Sequence, residues 1–416
     1  MRMEGKGMKS SNFDKKFLAL FVLLICLIAI PGNALAGKPG FDDKEIRIGT
    51  FGPQTGVAAS WGACSRAPGI LFSMVNEQGG IHGRKIKFYV RDDQYNPALA
   101  KTAVKELVEK IGVLAMTAMP CGACSNAVKA YMAEHQVLMC SAATSAPSPV
   151  NEDNKKAGDK INRYIFSFPP IFEDEASILT EYIVNKLKIK KIGVLYQNDQ
   201  FGKGGYDGVK QRMNHLGLKL TEAIPIEPTE KDLASQILRL KNSGAEGVVL
   251  WMNTTSAILS VKTAHATNYK PQFFSFYGTA DYPLMMKLSG GLWEGVINST
   301  MYPDLFSDDP TIKAYREATK KYAPEEEWGI SLLAGFINTE PLVEGLKRAG
   351  RDLSPEALIK ALETLNNWKG TGAPVTYTKD YHQGTDAVRI VKCGPGGKTI
   401  LLQDWTPNEL ATWKKK

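Results

Sequence analysis

The stretch Glu45-Ile-Arg-Ile-Gly-Thr-Phe-Gly-Pro-Gln-Thr-Gly56 opens the ordered reading of the chain. Its first residues alternate apolar with polar, the period of a strand, and it runs out into a Gly/Pro/Thr loop. Working outward, Ala58 to Gln78 reads as a helix closed by Gly79-Gly80. Lys85 to Arg91 is a second strand, and Asn96-Pro97 caps a helix running to about Glu109. Gly112 to Thr117 is a short apolar strand, Cys124 to Glu134 a helix, and Val137 to Cys140 another buried strand. Strands and helices in this alternation need a parallel sheet covered on both faces, so the expected fold class is α/β.

A second series of similar size follows. Helices are expected over Phe172 to Lys188, Phe201 to Leu216, Leu233 to Asn242 and Thr255 to Ala266. Strands fall between them at Lys191 to Tyr196, Leu220 to Ile226, Gly247 to Trp251 and Gln272 to Phe276. The last third breaks the alternation. Three successive helices (Asp309 to Tyr322, Gly329 to Arg348, Ser354 to Leu365) precede short strands at Val375–Tyr377, Ala387–Lys392 and Thr399–Asp404. Such a tail does not make a third domain easily and is better placed as additions to two lobes.

The first 36 residues read as an export signal. Lys9, Lys15 and Lys16 precede an unbroken apolar run from Phe17 to Ile30, then Pro31-Gly32 and the small-x-small sequence Ala34-Leu35-Ala36. That run is shorter than the roughly 20 residues a spanning helix needs. Cleavage after Ala36 would deliver the chain to the periplasm, an oxidising compartment. The formal net charge of the whole chain is +8. No Lys/Arg-rich block accompanies it, and no nucleic-acid-binding motif is present, so a nucleic-acid partner is not expected.

Five cysteines follow the leader: Cys64, Cys121, Cys124, Cys140 and Cys393. An odd number leaves at least one unpaired. The CxxC at Cys121-Gly-Ala-Cys124 lacks the second Cys or His pair of a zinc site, so no metal is expected. One local or neighbouring disulfide, or buried thiols, is the simplest reading. The five histidines show no ligand spacing, and no GxSxG, HExxH or Walker A motif occurs. Gly202-Lys-Gly-Gly-Tyr-Asp-Gly208 lacks the GK[ST] phosphate cradle. Asp92-Asp93 is not read as a catalytic pair, because adjacent strand residues point to opposite faces. No enzyme and no cofactor are expected.

Several segments together resemble the periplasmic binding proteins of branched-chain amino-acid-type ABC transporters, the leucine/isoleucine/valine-binding group. They are Ile48-Gly-Thr-Phe-Gly-Pro-Gln-Thr-Gly56, Asn76-Glu-Gln-Gly-Gly-Ile-His-Gly-Arg-Lys85, Asp92-Asp93, Val137-Leu-Met-Cys-Ser-Ala-Ala-Thr144 and Asn198-Asp-Gln-Phe-Gly-Lys-Gly204. The resemblance runs from about Glu45 to Asp404. It implies two Rossmann-like lobes (periplasmic binding protein type I) joined by three crossing hinge segments, near Tyr164–Pro169, Asn298–Tyr302 and Gly370–Val375. The implied division is a signal peptide over 1–36, lobe 1 over 43–166 plus 301–372, and lobe 2 over 167–300 plus 373–416.

A ligand is expected where loops leave the C-terminal ends of the parallel strands and helix N-termini converge. In the resembled family a serine, a backbone position and a threonine hold a ligand carboxylate, which here match Cys121, Ala142 and Thr144; the backbone of Cys121 and Gly122 can add donors. A thiol donates weakly, so Cys121 departs from the pattern. Trp61 and Phe201 would flank the ligand from opposite lobes. The family's ammonium-binding glutamate matches Tyr277, and a phenol does not neutralise an ammonium; Asp281 and Asn253 are the other lobe-2 candidates, Asp281 also reading as a helix cap. The resemblance implies a monomer that captures a small molecule by hinge closure and passes it to an ABC permease of the inner membrane. A small amino acid or an apolar or aromatic carboxylate is the expected cargo. The amide/urea class, or a ligand-sensing role beside a signalling receptor, are the alternatives.

Overall fold

The computed structural model describes Arg2 and residues 40–56, 58–143 and 161–410. Apart from Arg2, the expected leader lies outside these, as does Thr144. In the first lobe, β1 (Glu45–Gly52) is followed by a 3-10 turn (Ala59–Trp61) and α1 (Gly62–Glu77). Then come β2 (Lys85–Asp92), α2 (Pro97–Lys105) with a π-turn extension (Glu106–Ile111), β3 (Ala115–Met116), α3 (Gly122–Glu134), β4 (Leu138–Cys140) and β5 (Ile165–Phe166). The sheet order is β2-β1-β3-β4-β5, all parallel. Asn96 caps α2 as its sequence requires, accepting from Ala98 N and Leu99 N with Pro97 at the first helical position.

The second lobe starts with α4 (Phe172–Asn185) and β6 (Ile192–Gln197). It continues through α5 (Gln200–His215), β7 (Glu222–Ile226), α6 (Ala234–Asn242), β8 (Gly247–Trp251), α7 (Thr254–Ala266), β9 (Gln272–Ser275), α8 (Tyr282–Ser289) and β10 (Ile297–Thr300). The chain returns to the first lobe as α9 (Pro310–Tyr322), α10 (Ile330–Ala349) and α11 (Pro355–Leu362). It then adds β11 (Ala387–Cys393) and β12 (Thr399–Pro407) to the second sheet, whose order is β12-β11-β10-β9-β8-β6-β7. The β10–β11 and β11–β12 pairs are antiparallel and the other pairs of this sheet are parallel.

The three late helices dress the first lobe. Gly335 of α10 lies against the Cys64 backbone of α1, leaving no room for a β-carbon, and Arg66 of α1 pairs with Glu326 ahead of α10. The Val375–Tyr377 segment forms no strand; it makes one isolated bridge, Trp368 to Val375.

Three connections cross between the lobes. Ser167 N donates to His382 O at 2.9 Å and Ser167 O accepts from Gly384 N at 2.6 Å, so the first and third connections pair. Ala373 N donates to Met301 O at 3.1 Å, tying the third to the second. The third connection thus reaches past Val375 as far as Gln383. The reason is aromatic: Tyr377 and His382 pack on Phe166, the His382 ring stacked at 3.8 Å.

Candidate functional site

Both sheets reverse their strand order at one place, between β1 and β3 in the first lobe and between β6 and β8 in the second. Loops leaving the C-terminal ends of strands on either side of such a switch diverge and open a crevice. Trp61 follows β1, Cys121 and Gly122 follow β3, Phe201 follows β6 and Asn253 follows β8. Topology therefore brings these sequence-selected residues to the two crevice mouths, with Ala142 after β4 and Tyr277 after β9.

The mouths face each other. Trp61 and Tyr277 meet edge to face, ring centroids 6.5 Å apart at 88°. The Tyr277 hydroxyl donates to Ala143 O in the opposite lobe at 3.4 Å, a long bond. Asn126 of α3 donates to Gln200 of α5 at 2.9 Å. The structure is a closed form in which Tyr277 is buried. Burial, with Tyr302 next, pushes its phenol well above the usual range.

Cys121 and Cys124 form a disulfide, which removes the thiol as a ligand donor. Cys121 caps α3 instead, its sulfur accepting from Cys124 N at 3.2 Å. Cys64, Cys140 and Cys393 are buried free thiols. A carboxylate oxygen of Asp93 and the two bridged sulfurs lie within 4.8 Å of one another. Asp93 is wholly buried, its Oδ2 has no hydrogen-bond partner, and burial pushes its carboxyl up to about 6. The N-terminus of α3 therefore already faces an acid.

Phe201 is half-buried and packs within its own lobe, its ring 5.1 Å from that of Phe172 and 4.9 Å from that of Phe276. It joins a wall of rings, since Phe276 also lies 5.3 Å from both Trp251 and Tyr277. Asn253 caps α7 through Ser256 N and donates to Gln197. Asp281 caps α8 through Leu284 N at 3.2 Å, and its other oxygen takes Ile330 N of α10 at 3.1 Å. Both oxygens of Asp281 are thus engaged by backbone, and it ties one lobe to the other. The side chain of Ala142 faces the first-lobe core.

Glu175 has a place in the site that no sequence motif marks. It sits one turn into α4 and is wholly buried. Its Oε1 accepts from Tyr277 N at 3.1 Å and from Ser299 Oγ at 2.7 Å, while Oε2 has no partner. Burial pushes its carboxyl up to about 8 against those two donors. Within the sequence it is one of three acids in the first turn of an amphipathic helix, Glu173-Asp174-Glu175, and such acids ordinarily read as dipole partners in solvent.

Comparison with known proteins agrees with this arrangement. The family model for periplasmic binding proteins matches residues 45–398. The leucine-, isoleucine-, valine-, threonine- and alanine-binding protein of Pseudomonas aeruginosa is 24% identical over 332 residues, 79% of this chain and 85% of that protein. The Leu/Ile/Val-binding protein homolog 1 of Brucella abortus is 26% identical over 369 residues, covering 87% and 92%. Among solved structures, a branched-chain amino acid ABC transporter protein from Thermus thermophilus with bound valine superposes with a TM-score of 0.77 at 20% identity, covering 89% and 98%. A fatty acid ABC transporter substrate-binding protein from Thermomonospora curvata gives 0.76 at 24% identity, covering 91% and 97%. These are binding proteins and not enzymes. With its two switch-point sheets and three crossing connections, the chain belongs to the periplasmic binding protein family.

Proposed function

We propose that this protein is the extracytoplasmic solute-binding component of an ABC importer, working in the periplasm as a monomer and handing its cargo to an inner-membrane permease. The cargo is an amino acid or an apolar or aromatic acid, enclosed along the Trp61–Tyr277 seam with Gly122, Ala142 and Phe201 around it. The observation that carries this reading is the ring contact between Trp61 and Tyr277 across the lobes, joined by the Tyr277 hydroxyl on Ala143 O. Contacts made by both lobes exist only when the lobes are together, so a solute that adds to them shifts the population toward closure. The printed names of the relatives, spanning amino acids and a fatty acid, support a small solute with an apolar body. The boundaries that go with this reading are lobe 1 over 43–166 and 301–372, and lobe 2 over 167–300 and 373–416.

A thermal-shift screen of the mature chain over amino acids, aromatic and aliphatic acids, and amides tests it. At a concentration of 100 Kd, a bound solute adds about 2.7 kcal/mol of stability, a shift of several degrees. The Trp61→Ala variant is expected to keep its solute-free midpoint within a few degrees and to lose the solute response. A screen in which no member shifts the midpoint overturns the reading.

A further inference from the structure

Cys121 and Cys124 stand at the start of α3 in the unit β3–α3–β4, whose two strands are parallel neighbours. Cys121 is the helix N-cap, and Ala123, between the two cysteines, is exposed. The disulfide therefore lies one residue beneath the surface, at a helix end whose N–H groups and dipole stabilise a thiolate. One such donor is already in place, Cys124 N on Cys121 Sγ at 3.2 Å. As a staple the bond does little, because a loop of only four residues loses less chain entropy than a longer one. The other thiols lack this setting. Cys64 lies inside α1, and Cys140 and Cys393 end β4 and β11. Burial pushes all three thiols up, Cys393 to about 11, which makes them poor nucleophiles.

A buried acid completes the group. Asp93 follows β2 directly, and one of its carboxylate oxygens lies within 4.8 Å of both sulfurs. Its Oδ1 accepts from Tyr95 N at 2.9 Å, and among the described residues its Oδ2 has no hydrogen-bond partner. A wholly buried carboxylate with an open oxygen is costly, whereas its protonated form is a donor beside two sulfurs. The titratable groups facing it are Asp92 and Tyr95 on its own turn and the two cysteines of α3; from the second lobe, Asp199 bears on Tyr95. The group also lies against the seam. Asn126, two residues beyond Cys124, donates to Gln200 of the second lobe at 2.9 Å, and in this closed form both cysteines and Asp93 are wholly buried.

We propose that Cys121–Cys124 is a redox-active disulfide that exchanges with a dithiol when the lobes part, and that Asp93 is the proton donor to the released sulfur. A thiolate of the dithiol attacks Cys124 Sγ. The bond between the cysteines breaks, and its electron pair goes to Cys121 Sγ, which already faces the Cys124 N–H. The second thiolate of the dithiol then attacks the reductant's own sulfur in the mixed disulfide. That step closes the reductant's disulfide and frees Cys124 Sγ, which takes a proton from Asp93. Cys121 takes its proton from solvent, and Asp93 is reprotonated from solvent. Two electrons and two protons pass in all, leaving two protein thiols.

The test uses the mature protein and dithiothreitol. After acid quenching, thiols are trapped with N-ethylmaleimide in urea and counted by intact mass. The expected count is three without reductant and five after treatment of the folded protein, the added two mapping to Cys121 and Cys124. Asn126→Ala, which removes the bond between the lobes, is expected to speed reduction about two- to tenfold with an unchanged urea midpoint. With rates divided by the reductant's thiolate concentration, the parent is expected to slow about tenfold from pH 5 to pH 7 as Asp93 ionises near pH 6, and Asp93→Asn to show no such slope. A disulfide that resists dithiothreitol until urea unfolds the chain is a structural staple and overturns the proposal. So does a count of five without reductant, an Asn126→Ala rate equal to the parent's, or a normalised pH profile that is the same in parent and Asp93→Asn.

Discussion

At the scale of single residues, position in the fold has reassigned side chains whose chemistry the sequence displayed openly. Asp281 is the clearest. A carboxylate near the cleft was an eligible ammonium partner, yet its two oxygens are occupied by the first-turn N–H groups of helices from different lobes. Burial raises its carboxyl, and the Ile330 and Leu284 amides oppose that rise. Gly329 leaves the space: a β-carbon there would lie 2.8 Å from Asp281 Oδ2. Because a lost helix cap costs about 1 kcal/mol, Asp281→Ala is expected to lose about 2 kcal/mol in urea unfolding, and to weaken solute binding because one of the two caps exists only with the lobes closed. Asp281→Asn is expected to retain roughly half of the stability. An alanine variant that unfolds like the parent would show that neither cap matters.

Secondary elements tell a related story through the glycines of α5. Gly202-Lys-Gly-Gly-Tyr-Asp-Gly208 carried no phosphate-loop signature, and its composition is unfavourable inside a helix. Packing explains it. A β-carbon on Gly202 would run into the backbone of Gln197, on Gly205 into the ring of Trp251, and on Gly208 into the backbone of Glu173. The helix is thin on this face so that α4 and the ring wall of the cleft can approach it. Gly205→Ala is expected to destabilise by about 1–3 kcal/mol despite the better helix propensity of alanine, and to weaken solute binding by displacing Trp251. A stabilised variant would overturn that account. The disulfide belongs to the same scale. It closes a loop of only four residues at the start of α3, so reducing it is expected to cost about 2 kcal/mol by the chain-entropy model, measured as a difference in urea midpoint with and without reductant.

Across the whole molecule, buried titratable groups make stability depend on pH from both sides. Glu175 has its carboxyl raised from 4.5 to about 8, so the folded chain binds a proton that the unfolded chain has lost between those values. Its contribution is complete below pH 4.5 and falls as pH rises toward 8. His382 runs the other way. Burial against Phe166 and the paired hinge lowers it from 6.5 to about 4, so stability falls as pH drops below 6.5. Solute-free protein is therefore expected to lose up to about 1.4 kcal/mol per pH unit between pH 6 and pH 8. Between pH 4.5 and 6.5 the two contributions oppose each other, so Glu175→Gln is expected to flatten the alkaline limb, and His382→Gln to let stability rise further as pH drops below 6.5. Urea midpoints at pH 5, 6, 7 and 8 read both, and an unchanged alkaline limb in Glu175→Gln would sink the assignment.

The amino-acid sequence by itself determined the elements and their class. Strand alternation at Glu45–Thr50, caps at Asn96 and Asp199, and glycine stops at Gly79-Gly80 are local physics, and each is visible within about five residues. The resemblance to a known family pointed to Trp61 and Tyr277, both in loops after parallel strands, where sites form. What only the tertiary structure decided is which of these residues still have a free hand. Cys121 became a bridge to Cys124, Asp281 and Asn253 became caps, and Phe201 became part of a wall. Glu175, written among helix-start acids, turned out to lie buried under Tyr277 with an open oxygen. The physical reason is that burial and hydrogen-bond pairing are set by partners far away in the chain. Glu175 meets Tyr277 and Ser299 across more than a hundred residues, and no local pattern carries that information.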